Sequence, residues 1–361
     1  MSDHAEALPS VAVAVSGGGD SLLALTLVRE QGQRTIALHA HFLPPTPARL
    51  REAEALGRLC ANLGAQYVDI DLSREFDERV IAPFAADYCA GLTPNPCGRC
   101  NALMKFGVLL DVAGRYGATQ LTTGHYVRLV EHGRWGQMPA RGVDPVKDQS
   151  YFLALVSRER LLRGLFPLGD RHKADVRAEL AQRAITAAPL PESQEVCFIE
   201  HDDYRAFLLH RAEAGGPRPG PPGPILSSAG ETLGRHGGLW SYTPGQRRGL
   251  GIAWSEPLYV IAKDFARNAL IVGPRQELTS AGCLAGDLNA FAPPEQWPRR
   301  CLVQTRYRQT ATPAEVVCTG DTLAIRFDSP RTPPAPGQIA AVYSTEGVLL
   351  GGGVILEATS S

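Results

Sequence analysis

Through the first part of the chain, short apolar runs alternate with longer stretches in which apolar residues recur three and four positions apart. VAVAV (11–15), TIALHAHF (35–42), QYVDID (66–71) and TQLTTG (119–124) have the content of strands. Between them, SLLALTLVREQG (21–32) and ARLREAEALGRLCANLG (48–64) have the apolar spacing of amphipathic helices. Strand and helix in alternation predict an α/β domain built on a doubly wound parallel sheet. In such a sheet, ligands bind beyond the carboxyl ends of the strands.

The pattern then breaks. GGPRPGPPGP (215–224) is Gly and Pro apart from one Arg, which sustains neither a helix nor a central strand and marks a linker or long loop. Beyond about residue 235, SYTPGQRRGLGIAW, LYVIAKD, ALIVG, CLVQTRYRQT, AEVVC, TLAIRF, QIAAVY and GVLLGGGVI read as short strand-like pieces between turn residues. They predict a small antiparallel β-barrel in the C-terminal third.

A length of 361 residues suits two or three domains. No apolar run approaches a membrane span, and MSDHAEALPS at the N-terminus has neither the basic nor the apolar region of an export signal, so a cytoplasmic protein is expected. Cysteines at 60, 89, 97, 100, 197, 283, 301 and 318 are scattered through a chain far larger than a disulfide scaffold, and are expected to be thiols in a reducing compartment. A formal charge of -1 excludes a generally basic nucleic-acid binder and leaves room for local basic patches.

Directly after the first strand and before the first helix stands SGGGDS (16–21). Three glycines let backbone amides converge on one point, and the helix N-terminus adds further N–H groups, so the loop is suited to phosphate. The plainer alternative is a strand-to-helix turn with Ser as N-cap. The GK[ST] ending of a Walker A loop is absent. Asp20 would be repelled by phosphate unless a divalent cation bridged them, which points to ATP with Mg²⁺. CGRC (97–100) permits a redox pair, half a metal site, or sulfur chemistry on a substrate.

SGGxDS after a first strand resembles the signature of the PP-loop ATP pyrophosphatases. TPNPCGRCN (93–101) followed by MKF, then TGHY (123–126), KDQSYFL (147–153), SQEVCFI (193–199), GQRRGLGI (245–252), TRYRQT (305–310) and LGGGVI (350–355) resemble, in order, the motifs of the tRNA-specific 2-thiouridylases. The resemblance runs through nearly the whole chain. It implies a PP-loop ATP-binding catalytic domain at 1–202, a central linker or tRNA-contacting domain at 203–275, and a tRNA-binding β-barrel at 276–361. It implies ATP-dependent 2-thiolation of the tRNA wobble uridine, in which the C2 oxygen is adenylylated and replaced by sulfur. A pyrimidine carbonyl oxygen is a poor leaving group, and an AMP ester makes attack at C2 feasible. The partners implied are the tRNA anticodon arm and a sulfur donor: a cysteine desulfurase, a sulfur-relay protein or inorganic sulfide.

By motif position, Cys100 matches the family's nucleophile and Cys197 its persulfide carrier. Cys97 stands where better-studied members have an Asp; a thiol with an ordinary pKa of about 8.5 replaces a carboxylate poorly but ligates metal well. Three routes stay open: a 4Fe-4S cluster on Cys97, Cys100 and Cys197 with one iron holding sulfide, a zinc site, or a plain persulfide route with Cys97 a bystander. Ala14, Val15, Ser16, Gly17, Gly18, Gly19, Asp20, Ser21 and Gly124 match ATP contacts, as does Ala40, where the usual Met is missing. Asn95, Pro96 and Cys97 would face the target base, and His125, Lys147, Asp148, Gln149, Arg306, Tyr307 and Gln338 would meet tRNA. An extruded wobble base would be read in the pocket. Arg247 and Arg248 read equally as a solvated turn or a tRNA contact. FLPPTP (42–47) is shorter than the polar insertion of many relatives. Cys60, Cys89, Cys283, Cys301 and Cys318 read as small buried hydrophobes. Rival readings are a PP-loop thiolase for another tRNA position, an amide-forming relative such as an argininosuccinate synthase, and a non-catalytic tRNA-binding sulfur-relay protein.

Overall fold

The computed structural model describes residues 10–185 and 196–359, which fall into two compact units. One takes in residues 10–79, 98–185 and 347–349, the other 80–97, 196–346 and 350–359. The first three residues of the SQEVCFI motif lie outside the described residues.

The first unit holds the parallel sheet. Its five strands run in the order Gln66–Asp71, Thr35–His41, Ser10–Ala14, Ala118–Thr122, Gly164–Leu165, every neighbouring pair parallel. Strand order therefore reverses at Ser10–Ala14, and the crevice between the ends of that strand and Ala118–Thr122 is the topological switch point. SGGGDS follows one of these strands and TGHY the other. Leu22 and Leu25 of the helix Gly19–Glu30 pack with Val13, Val15, Ala37, Leu56 and Cys60, which fixes the helix against the sheet. FLPPTP ends as a helix start: Thr46 is the N-cap of Pro47–Asn62, its Oγ1 accepting from the Arg49 amide at 3.3 Å, with Pro47 in the first turn.

After the short helix Pro96–Cys100, the chain widens into a π-helix at Asn101–Leu109, with Gly107 off helical geometry. Carbonyls released by that distortion need donors. Arg160 supplies them, reaching Phe106 O at 3.0 Å and Gly107 O at 3.2 Å while pairing with Asp111 at 2.9 Å. A hairpin of Val127–His132 and Gly136–Arg141 was not legible in the pattern, because Arg128, Glu131 and Gln137 dilute its apolar alternation.

In the second unit, four strands pair in the order Tyr259–Asp264, Ala269–Gly273, Gly223–Ser227, Thr232–His236 around a core of Ile225, Leu239, Tyr242, Val260, Leu270 and Val272. LYVIAKD and ALIVG thus belong to this central sheet and not to the barrel. SYTPGQRRGLGIAW forms no strand: Gly245, Gly249 and Gly251 have φ of +86°, +79° and +69°, left-handed values that interrupt extended backbone. The barrel itself closes from six strands in the order Ser280–Ala290, Thr322–Arg331, Thr312–Thr319, Arg300–Gln304, Ile339–Tyr343, Leu349–Thr359. Its first strand, SAGCLAGDLNA, escapes a propensity reading because small residues dominate it. Small residues are what the closure requires. A Cβ on Gly351 would lie 2.5 Å from Asn289 O, and one on Gly353 would lie 2.5 Å from Gly286 O. Among the described residues, no helix is long and apolar enough to cross a membrane. The architecture is the α/β one expected: a doubly wound parallel sheet, a small central sheet and a C-terminal antiparallel barrel.

Candidate active site

The glycine loop is built for anions. Gly17 has φ +81°, and the helix N-cap is Gly18, not Ser, with no side chain capping it. Among the described residues, no side chain at the N-cap accepts from the first-turn amides of this twelve-residue helix, at its positive end. Ser16 and Ser21 brace the loop internally: Ser21 Oγ donates to Gly18 O at 2.8 Å and accepts from the Ser16 amide at 3.2 Å. Gly124 closes the loop from behind, since a Cβ there would stand 3.1 Å from the backbone of Asp20 and Ser21. Val15 N donates to Leu38 O at 2.9 Å, which holds the loop's entry beside the strand that carries Ala40.

Asp20 has a partner that the sequence concealed. Lys173 Nζ lies 2.6 and 2.8 Å from its two carboxylate oxygens, and the Tyr126 hydroxyl donates to Oδ1 at 3.1 Å. The carboxylate beside the glycine-loop amides is therefore compensated by an ammonium, and its charge alone does not demand a metal ion. Lys173 is set in place by the start of its own helix, Lys173–Gln182, where its amide donates to Asp144 Oδ2 at 2.9 Å. Asp144 also accepts from the amides of Val146 and Lys147, so one carboxylate organises both the KDQ loop and the lysine.

From Asp20 a path of hydrogen bonds joins motifs that are far apart in sequence. Tyr126, of TGHY, bonds Asp20; its amide donates to Gln149 Oε1 at 3.1 Å, and its carbonyl accepts from the Gln149 amide at 3.0 Å. Three residues on, Phe152 O accepts from Asn101 Nδ2 at 3.2 Å. Asn101 is buried next to Cys100, and its Oδ1 has no hydrogen-bond partner among the described residues. SGGGDS, TGHY, KDQSYFL and the CN of CGRCN thus meet in one unit.

Cys97 and Cys100 are half-buried and stand one turn apart on Pro96–Cys100, while Cys197 is exposed in the turn before Phe198. Cys100 belongs to the first unit, Cys97 and Cys197 to the second. No cysteine is in a disulfide. Among the other five, burial pushes Cys60 and Cys301 up to about 11 and Cys283 up to about 12, and it raises Cys89 and Cys318 as well. Thiols held that far from ionisation are inert.

The segment leading to Cys97 is gripped within the second unit. Thr93 N donates to Pro336 O at 2.8 Å, and Gln338 Nε2 donates to Thr93 O at 2.8 Å and Pro94 O at 3.3 Å. Lys263, which burial lowers to about 8, donates to Gly91 O at 2.6 Å, just after the helix Ala82–Cys89.

Residues 9–201 match the family profile described as tRNA methyl transferase HUP domain, 216–274 the tRNA methyl transferase PRC-barrel domain, and 280–355 the aminomethyltransferase beta-barrel domain. Over 352 residues the chain is 55% identical to the tRNA-specific 2-thiouridylase MnmA of Nitratidesulfovibrio vulgaris Miyazaki F, covering 96% of this chain and 99% of that protein. The chain belongs to the tRNA-specific 2-thiouridylase family. Identity to the tRNA-specific 2-thiouridylase MnmA of Lawsonia intracellularis is 44%, with 96% of this chain and 99% of that one covered. Among solved structures, the U34-tRNA thiolase NcsA from Methanococcus maripaludis with its 4Fe-4S cluster aligns with 57% of this chain and 65% of its own, at 15% identity and a TM-score of 0.35.

Several positions matched to tRNA contacts in the 2-thiouridylase family are turned inward here. His125 is buried, its Nδ1 2.7 Å from Thr123 Oγ1, and burial holds it well below 6.5. Asp148 is buried and accepts from the Gly142 and Ser150 amides, Ser150 Oγ and Arg141 Nη1, all within 3.2 Å. Gln338 holds Thr93, and Gln149 holds Tyr126. By contrast Arg306 is exposed and Tyr307 half-buried, in a turn where Arg308, at φ +62°, lies over the Tyr307 ring at 5.6 Å. Of the residues with a part in the site, Lys173, Tyr126, Asp144 and Asn101 carry no role in the sequence reading. Tyr126 and Asn101 lie within quoted motifs, but Lys173 and Asp144 have no local signal at all.

Proposed function

We propose that this 2-thiouridylase replaces the C2 oxygen of the wobble uridine of tRNA with sulfur, activating that oxygen with ATP and Mg²⁺ at the glycine loop. The observation that carries the reading is the hydrogen-bonded path from Asp20 through Tyr126, Gln149 and Phe152 to Asn101, beside Cys100. It supports a single site in which phosphate binding and a thiol act on one substrate. Amides from Gly17 to Ser21 take the phosphate charge, with Ala14 to Ser16, Ala40 and Gly124 forming the rest of the nucleotide cradle. Lys173 keeps Asp20 from opposing the polyphosphate. In the persulfide route Cys100 is the nucleophile and Cys197 delivers sulfur received as a persulfide from a sulfur-transfer protein; inorganic sulfide serves the cluster route, in which an iron carries it.

By motif match, with a thiol at Cys97 where relatives carry an Asp, the residue types suit a 4Fe-4S cluster, which Cys97, Cys100 and Cys197 would hold and which would supply an iron to carry sulfide. The half-buried pair one turn apart on Pro96–Cys100 fits two of those ligands. Closed zinc coordination would lock the thiols away from the substrate. On the tRNA side, Asn95 to Cys97 face the base and Lys147, Arg306 and Tyr307 meet the anticodon arm. His125, Asp148, Gln149 and Gln338 act from inside, holding the segments that make contact. Trp254 is 48% exposed and lines the same groove as Arg247, an aromatic and a cation of the kinds that meet unstacked RNA. The division into 1–202, 203–275 and 276–361 and a cytoplasmic location complete the proposal.

The test is anaerobic turnover of tRNA transcripts with ATP, Mg²⁺ and sulfide or a persulfide donor, reading 2-thiouridine, AMP, pyrophosphate and protein-bound iron on the same samples. Thiolation that needs ATP and no methyl donor supports the assignment. Methylated product, or binding of tRNA without AMP release, overturns it in favour of a transferase of another group or a non-catalytic relay. Thiolation by protein that holds no iron overturns the cluster alone.

A further inference from the structure

We infer that His39, His41 and Asp69 form a binding site for a zinc-like divalent transition-metal ion, next to the glycine loop and separate from the nucleotide's Mg²⁺. The two histidines point to the same face of the strand Thr35–His41, two residues apart. On the neighbouring parallel strand, Asp69 is in register with His39 and diagonal to His41. One donor atom from each of the three lies within 4.8 Å of the other two.

Each ligand is prepared for the role. His39 Nδ1 is 2.9 Å from the carbonyl of Val15. A carbonyl only accepts, so Nδ1 carries the proton and the ring's lone pair is on Nε2. A histidine fixed in its tautomer by a backbone carbonyl is the usual state of a metal ligand. His41 Nε2 lies 2.9 and 3.0 Å from the two oxygens of Asp69, a contact in which a proton now occupies the place an ion would take. Donors on a tetrahedral ion with bonds of about 2.0–2.2 Å are about 3.3–3.6 Å apart, so closure asks for a movement of at most about 1.5 Å in one side chain. His41 is buried, while the Asp69 side chain is 37% exposed, which gives the site a fixed wall and an opening where water completes the coordination.

Two imidazoles and one carboxylate select zinc, cobalt or nickel over magnesium and calcium, which take oxygen. Because Val15 enters the nucleotide loop, the ion would brace the strand that presents ATP.

The probe is Co²⁺ titrated into the full-length reduced protein. A nitrogen and oxygen site gives visible d–d bands without the near-ultraviolet thiolate-to-cobalt charge transfer that cysteine ligation adds. Expected is one equivalent of the nitrogen and oxygen type, displaced by Zn²⁺, unchanged in Cys97→Ser, and weakened at least tenfold in both Asp69→Asn and His39→Gln. Both substitutions fall on residues with solvent access, and thermal melts verify their fold. Absence of these bands at saturating Co²⁺, bands that always carry the sulfur signature, or affinities within about twofold of wild type in the two variants would each overturn the site.

Discussion

The Lys173 ammonium grips both carboxylate oxygens of Asp20 at 2.6 and 2.8 Å across 153 positions of sequence. The pair is partly buried, with side-chain exposures of 14% and 30%, so removing the lysine leaves an unbalanced carboxylate among the glycine-loop amides. Lys173→Met should raise the KM for ATP in AMP release by about tenfold or more, equivalent to about 1.4 kcal/mol per factor of ten. Asp20→Asn in the same chain should recover part of that loss, since it removes the charge the lysine balanced. An unchanged KM in Lys173→Met would refute the role.

Gly337 has φ +91°, and a Cβ there would lie 3.0–3.1 Å from the backbone of Thr93. Gly337→Ala should therefore destabilise the protein by about 1–3 kcal/mol and loosen the segment before Cys97. Thermal melts should show the loss, and 2-thiouridine yield should fall while the KM for ATP stays near wild type. Gln338→Ala, which deletes the bonds to Thr93 and Pro94, should give a milder version of both effects.

Cys100→Ser should abolish 2-thiouridine formation and leave ATP binding near normal, because the glycine loop makes no use of the thiol. Nucleotide binding by calorimetry and nucleoside analysis of the tRNA separate the two. Wild-type thiolation would sink the assignment of the nucleophile.

Cys97→Asp separates the sulfur routes. With a cluster, a carboxylate is a harder and weaker ligand in a sulfur-rich site, so bound iron and activity should fall together. With a plain persulfide route, activity from a persulfide donor should hold or rise with no iron present. Iron and 2-thiouridine measured before and after air exposure decide between them.

Burial keeps His125 neutral well below its ordinary 6.5. As pH falls through about 6.5 the unfolded chain takes up this proton and the native state resists it, so the unfolded state binds more protons and stability declines. His125→Gln should flatten the slope of unfolding free energy between about pH 7 and 5, by up to about 1.4 kcal/mol per pH unit. His39 and His236 are lowered by burial in the same sense, so the difference between variant and wild type, not the wild-type slope, isolates His125.

What the sequence determined alone was whatever is encoded locally. Apolar period set four of the five parallel strands and the two helices named with them, three consecutive glycines set the loop after the first strand, and the order of short motifs set the family. Local pattern failed where glycine or small residues serve a neighbouring strand: Ser280–Ala290 was unreadable as a strand, and SYTPGQRRGLGIAW was readable as one only because its left-handed glycines cannot be seen in composition. Tertiary structure decided the partners. That Asp20 is answered by Lys173, that Thr93 is held by Gln338, and that His41 pairs with Asp69 all follow from strand order and from chain segments returning across the fold. Side chains meet through those returns, and no spacing rule along the sequence records them.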